Sequence, residues 1–122
     1  MRRIAILLFL AFGACALPMT EPRQFVVYFL TDDPNLTKTG HEVVEQIAAA
    51  ARDANPAIVE VEGEAGGGAP IDQRLASERA DTVIHEMIAA GVNGKIIEKK
   101  AVVVPAAAPS VSQHQVNVRL LP

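Results

Sequence analysis

Twice between Gln24 and Gly91 the hydrophobic pattern passes from a strand period to a helix period, and this repeated change constrains the fold more than any other property of the chain. Gln24-Phe25-Val26-Val27-Tyr28-Phe29-Leu30 is rich in β-branched and aromatic residues and is closed by Thr31-Asp32-Asp33-Pro34-Asn35, which predicts a largely buried strand ending in a turn. Leu36, Val43, Val44, Ile47, Ala48 and Ala51 then recur at three- and four-residue steps. Thr37 or Thr39 can cap that helix and Asn55-Pro56 stops it. Ile58-Val59-Glu60-Val61-Glu62 alternates apolar with acidic, as a strand with one wet face does, and a glycine turn begins at Gly63. A second helix follows from about Asp72, burying Leu75, Ala76, Ala80, Val83, Ile84, Met87 and Ile88, with Gly91 as a left-handed cap. Lys95 to Val104 and Gln115 to Leu121 alternate as strands, joined by a loop through Pro105 to Ser110. The expected architecture is an α/β (α+β) two-layer sandwich of order β-α-β-α-β-β. Right-handed crossovers should set the first strands side by side, with the helices on one face.

Ahead of this domain lies a different kind of segment. Met1-Arg2-Arg3 is basic, Ile4 to Phe12 is apolar and too short to span a bilayer, and Gly13-Ala14 precedes Cys15, the one cysteine of the chain. The end of the apolar run resembles the lipobox of bacterial lipoproteins, although Phe12 stands where that box usually carries Leu. The resemblance implies cleavage after residue 14, a lipid (palmitate) on Cys15, and an anchor in the outer membrane, since Ala16 and not Asp follows the cysteine. An ordinary secretory signal with an incidental cysteine is the other reading, and a free thiol in an oxidising compartment argues against it. The expected organisation is a signal peptide over 1–14, a lipidated tether over 15–23, and one domain over 24–122.

Loss of residues 1–14 removes Arg2 and Arg3, leaving 9 basic against 14 acidic residues and a net charge of −5. With no basic stripe, no Trp and one Tyr, a nucleic-acid partner is not expected. Gly66-Gly67-Gly68 lacks the Lys and Ser/Thr of a phosphate loop, His41, His85 and His114 have no ligand-like spacing, and no nucleophile motif occurs. No cofactor, metal or enzymatic activity is expected. Glu60, Glu62, Glu98, Lys99 and Lys100 read as a solvated sheet surface.

Val27-Tyr28-Phe29 with Asp32 and Leu36-Thr37, Gly40 with Val43-Val44 and Ile47-Ala48, Val61 with Gly63, Leu75 with Arg79-Ala80 and Val83, and Ala90-Gly91-Val92 resemble, in order, the OmpA-like peptidoglycan-binding domain. The resemblance covers about Gln24 to Leu120. It implies a domain that binds the diaminopimelate of the peptidoglycan stem, an arginine holding its carboxylate and an Asp of a Gly-x-x-Asp turn holding its ammonium. Charge-assisted bonds of this kind contribute roughly 1.5–3 kcal/mol each.

Arg79 matches the family arginine, Gly66 stands where the Asp is expected, and Asp72 stands where the family usually has Asn. Gln113-His114-Gln115 replaces the usual Asn-Arg-Arg before the last strand. The candidate peptidoglycan-binding residues are therefore Arg79, with Asp72 and Glu64 as carboxylates flanking the glycine turn. Each carboxylate has a structural alternative: a helix cap for Asp72, a solvated strand end for Glu64, and for Arg79 a surface ion pair. Two functions follow as expectations. One is a lipid-anchored tether from the outer membrane to peptidoglycan; the other is a divergent domain that docks envelope proteins.

Overall fold

The computed structural model of the chain describes residues 19–66, 70–105 and 114–122. Strand β1 (Arg23–Tyr28) is followed by helix α1 (Lys38–Ala54), strand β2 (Ile58–Gly66), helix α2 (Pro70–Ala89), a 3-10 turn (Gly94–Ile96), strand β3 (Ile97–Val104) and strand β4 (Gln115–Leu121). The segment read as a signal peptide, Cys15, Gly67-Gly68 and most of the last loop lie outside the described residues.

Local chemistry accounts for the helix ends. Thr37 accepts the Gly40 N–H at 3.0 Å as the N-cap of α1, and Asn55 closes it at φ 50, a conformation Asn tolerates. At the far end of α2 the N–H of Gly91 bonds to Ile88 and that of Val92 to Met87, each at 3.0 Å. With Gly91 at φ 99 this is a Schellman closure, and buried Val92 and Met87 supply its hydrophobic contact.

The sheet order is β1-β4-β2-β3. β4 is antiparallel to both β1 and β2, and β2 is parallel to β3. The first two strands therefore do point the same way, but they are not neighbours as the sequence suggested: the last strand inserts between them. The reason lies in β4, whose Val116, Val118 and Leu120 are all completely buried. In register, Val118 sits between Phe25 of β1 and Val61 of β2, so this strong apolar alternation takes a place paired on both sides, as β2 also does.

Both helices cover one face of the sheet, giving the expected two layers. Val27, Phe29, Val59, Val61, Ala65, Val116, Val118 and Leu120 meet Val44, Ile47, Ala48 and Ala51 of α1 and Ala76, Ala80, Val83 and Met87 of α2 in the buried core. β2 runs four residues beyond the expected Glu62, through the first glycines. Gly63 is strand and not turn because α2 crosses directly over it, where a Cβ would stand 1.9 Å from the Ala76 carbonyl oxygen. Lys99 also departs from expectation. It faces α2, with Nζ 2.7 Å from Asp81 Oδ1 and 2.7 Å from Ser77 Oγ, while Lys100 faces the opposite side and bonds Glu60 at 3.1 Å.

Candidate functional site

Because β1 and β2 run in the same direction, both strands end at one end of the molecule, where α2 also begins. The turn after β1 is closed by the Asp33 N–H donating to Leu30 at 3.2 Å, with Asp32 held at φ 54, a left-handed conformation that Asp adopts readily. Asp33 Oδ1 then accepts from the backbone and side-chain amides of Asn35 at 2.8 and 2.9 Å.

Arg79, one helical turn past Leu75 on α2, reaches beneath this turn. Its Nε donates to the Asp33 carbonyl at 3.1 Å, Nη2 to Leu30 at 3.0 Å and Nη1 to Glu64 at 3.2 Å. The guanidinium lies 5.5 Å from the centre of the Phe29 ring. The residue is completely buried, and Glu78 on the same helix bonds Arg74 at 2.8 Å. Burial pushes the guanidinium below the usual arginine value, while Asp32 and Asp33 act in the opposite direction.

A cavity of 140 Å³ opens over this arginine. Thr31 and Asp32 of the first turn, Ala65 and Gly66 at the end of β2, Asp72, Leu75 and Arg79 of α2, and His114 before β4 line it. His114 is fixed there by its carbonyl, which accepts the Phe29 N–H at 2.7 Å. Asp72 sits in the first turn of α2, where a carboxylate is favoured by the helix dipole. Two carboxylates and one guanidinium thus share a concave site of amino-acid size. Such a set can hold a dipolar group, its ammonium toward the carboxylates and its carboxylate toward the guanidinium.

Of the three residues singled out in the sequence, Arg79 and Asp72 come together and Glu64 does not. The Glu64 side chain is on the opposite face of the sheet, where Asn117 Nδ2 donates to Oε1 at 2.6 Å and Gln115 Nε2 to Oε2 at 2.8 Å. Only its main-chain carbonyl reaches Arg79. It is not a solvated strand end either, being 8% exposed. Asp32 and His114 are the lining residues that sequence reasoning passed over as site candidates. The legible signal for Asp32 was its place in the Thr31-Asp32-Asp33-Pro34 turn, since same-direction strands bring such turns together. Among the described residues no group of three His, Cys, Asp or Glu is placed to hold a metal ion.

Comparison with known proteins agrees with this fold. The model of the OmpA family matches residues 28–118. No curated protein matches the sequence. Among solved structures, the OmpA-like domain of FopA1 from Francisella tularensis superposes with a TM-score of 0.71 at 20% identity, over 83% of this chain and 73% of that one. The cell wall anchor of the T6SS from Pseudomonas aeruginosa gives a TM-score of 0.69 at 14% identity, over 82% of this chain and 81% of its own. The peptidoglycan-associated lipoprotein from Burkholderia pseudomallei gives 0.57 at 18% identity, over 76% and 86%. At these identities the likeness is one of fold.

Proposed function

The chain belongs to the OmpA family, and from that premise we propose that it is a non-catalytic tether between the outer membrane and peptidoglycan. In this reading residues 1–14 are a signal peptide, Cys15 carries the lipid, residues 15–23 are the tether, and the domain faces the periplasm. It binds the diaminopimelate of the peptide stem without a covalent bond. The observation that carries the reading is the meeting of Asp32, Asp72 and Arg79 at one cavity. Arg79 takes the ligand carboxylate, and the two aspartates take the ammonium in place of the acid absent at Gly66. That two proteins of the same fold are a cell wall anchor and a peptidoglycan-associated lipoprotein supports it further.

The test is co-sedimentation of the full-length chain, in detergent, with isolated cell-wall sacculi at physiological salt. Arg79→Ala is a poor probe, because removing a buried cation strands the carbonyls of Leu30, Asp33 and Glu64 and costs on the order of 3 kcal/mol of stability. Asp72→Asn and Asp32→Asn leave the size of the pocket walls unchanged. Wild type is expected to sediment with the sacculi, and the double variant to bind roughly tenfold more weakly or worse. A wild-type chain that stays in the supernatant would defeat the tether and leave the docking of envelope proteins as the function.

A further inference from the structure

Among the described residues, the sheet order leaves β1 and β3 paired on one side only, and these two edges are built differently. β3 carries Glu98, Lys99 and Lys100, and charges along an edge keep other strands off it. β1 has no such guard. No charged residue, proline or glycine occurs from Gln24 to Leu30, and Tyr28 and Leu30 are 56% and 61% exposed. The Phe29 N–H bonds the His114 carbonyl at 2.7 Å. By the alternation of an antiparallel pair, the main-chain groups of Gln24, Val26 and Tyr28 therefore turn the other way, to the open edge. A cavity of 250 Å³ lies along this edge, lined by Val26, Tyr28 and Leu30 on the strand side and by Thr37, Gly40 and Val43 at the start of α1.

We propose that this edge is a self-association surface, on which β1 of a second copy of the chain pairs antiparallel about a two-fold axis, joining the two sheets into one. The inference goes beyond the tether reading and does not depend on it. The charge pattern of the strand identifies the occupant. Arg23 stands at the start of β1 and Asp32-Asp33 just past its end, with only neutral residues between them. Antiparallel pairing of two such strands brings the Arg23 of each copy to the aspartates of the other, whereas parallel pairing sets like charges side by side. A two-fold axis at Val27 places Val26 of one copy opposite Tyr28 of the other, so their outward-turned main chains meet, and Arg23 opposite Thr31, next to Asp32 and Asp33. The same axis brings together the exposed apolar side chains of both copies. A second copy supplies every one of these complements by symmetry.

The experiment is sedimentation equilibrium of the full-length chain in detergent. Wild type should show a monomer–dimer equilibrium that weakens as salt is raised, because the Arg23–aspartate pairs lie at the surface. Tyr28→Lys puts a charge on the edge, and Val26→Pro removes an N–H that β4 does not use. Each should weaken the dimer roughly tenfold or more. Tyr28 is exposed enough for its variant to keep the wild-type melting temperature, so that variant decides if Val26→Pro unfolds. Val102→Lys, on the opposite edge strand β3, should leave the dimer as it is. A wild type that is monomeric at every concentration overturns the proposal and leaves the edge of β1 to a strand of another envelope protein. A dimer that Tyr28→Lys leaves intact, or that Val102→Lys breaks, overturns it as well.

Discussion

Glu60, Glu62 and Glu64 stand two residues apart on β2 and face the same side of the sheet, yet their charges are met in different ways. Glu60 has Lys100 at 3.1 Å and Arg119 at 3.8 Å. Glu64 takes the amides of Gln115 and Asn117. Glu62, between them, is held above its ordinary value of 4.5 by burial first, then by its hydrogen bond to Glu64 and repulsion from Glu64 and Glu60, with Lys100 opposing. A carboxyl whose value is raised by folding favours the folded state when protonated. Its contribution is present below the unfolded value of 4.5 and is lost as pH rises through the folded one. Glu62→Gln should therefore raise the melting temperature at pH 7, and the advantage should shrink as pH falls toward 4.5. Thermal melts across that range check it; a variant that is less stable than wild type at neutral pH would contradict it.

At the scale of elements, α2 passes directly over β2 at Gly63. Gly63 lets the Ala76 carbonyl come within 1.9 Å of where a Cβ would be, and that atom is helix backbone with no rotamer to yield. Gly63→Ala is expected to cost about 3 kcal/mol or more, at the upper end for overpacking, because α2 has to lift off the sheet. Chemical denaturation measures this, and a loss below about 1 kcal/mol would mean that the helix moves freely. This contact also explains what was legible in the chain. Periodicity and capping residues located both helices and placed β4 at its observed bounds, because those signals are local. The end of β2 was not legible, because Gly63 and Gly66 carry the composition of a turn while the need for Gly63 arises from Ala76 of the following helix. Extending β2 settles Glu64 by parity: it falls on the side of Glu60 and Glu62, away from Arg79. The sheet order was hidden for a similar reason, since the pairing of Arg23 with Leu120 joins the two ends of the domain.

For the molecule as a whole, that pairing fixes where the two proposed attachments lie. The chain enters β1 at Arg23, beside Leu120 near its other terminus, whereas the candidate site opens where β1 ends, at Asp32. Six residues of strand, about 20 Å at 3.3 Å per residue, separate entry from site. Arg79 was singled out through the family pattern and Asp72 as a carboxylate flanking the glycine turn, but this separation was not legible, since it depends on the last strand returning beside the first. Its consequence is mechanical. A pull between the N-terminus and the site runs along β1 and strains its hydrogen bonds with β4 together, in shear. A pull between the two termini opens the same bonds one at a time from the Arg23–Leu120 end, as a zip. Single-molecule stretching with handles at the N-terminus and at Arg74 should therefore need a clearly larger rupture force than stretching by the two termini, and equal forces would show that β1 and β4 do not carry the load. The domain is then strong along the line joining its two proposed attachments and weak along the line joining the two ends of its sheet.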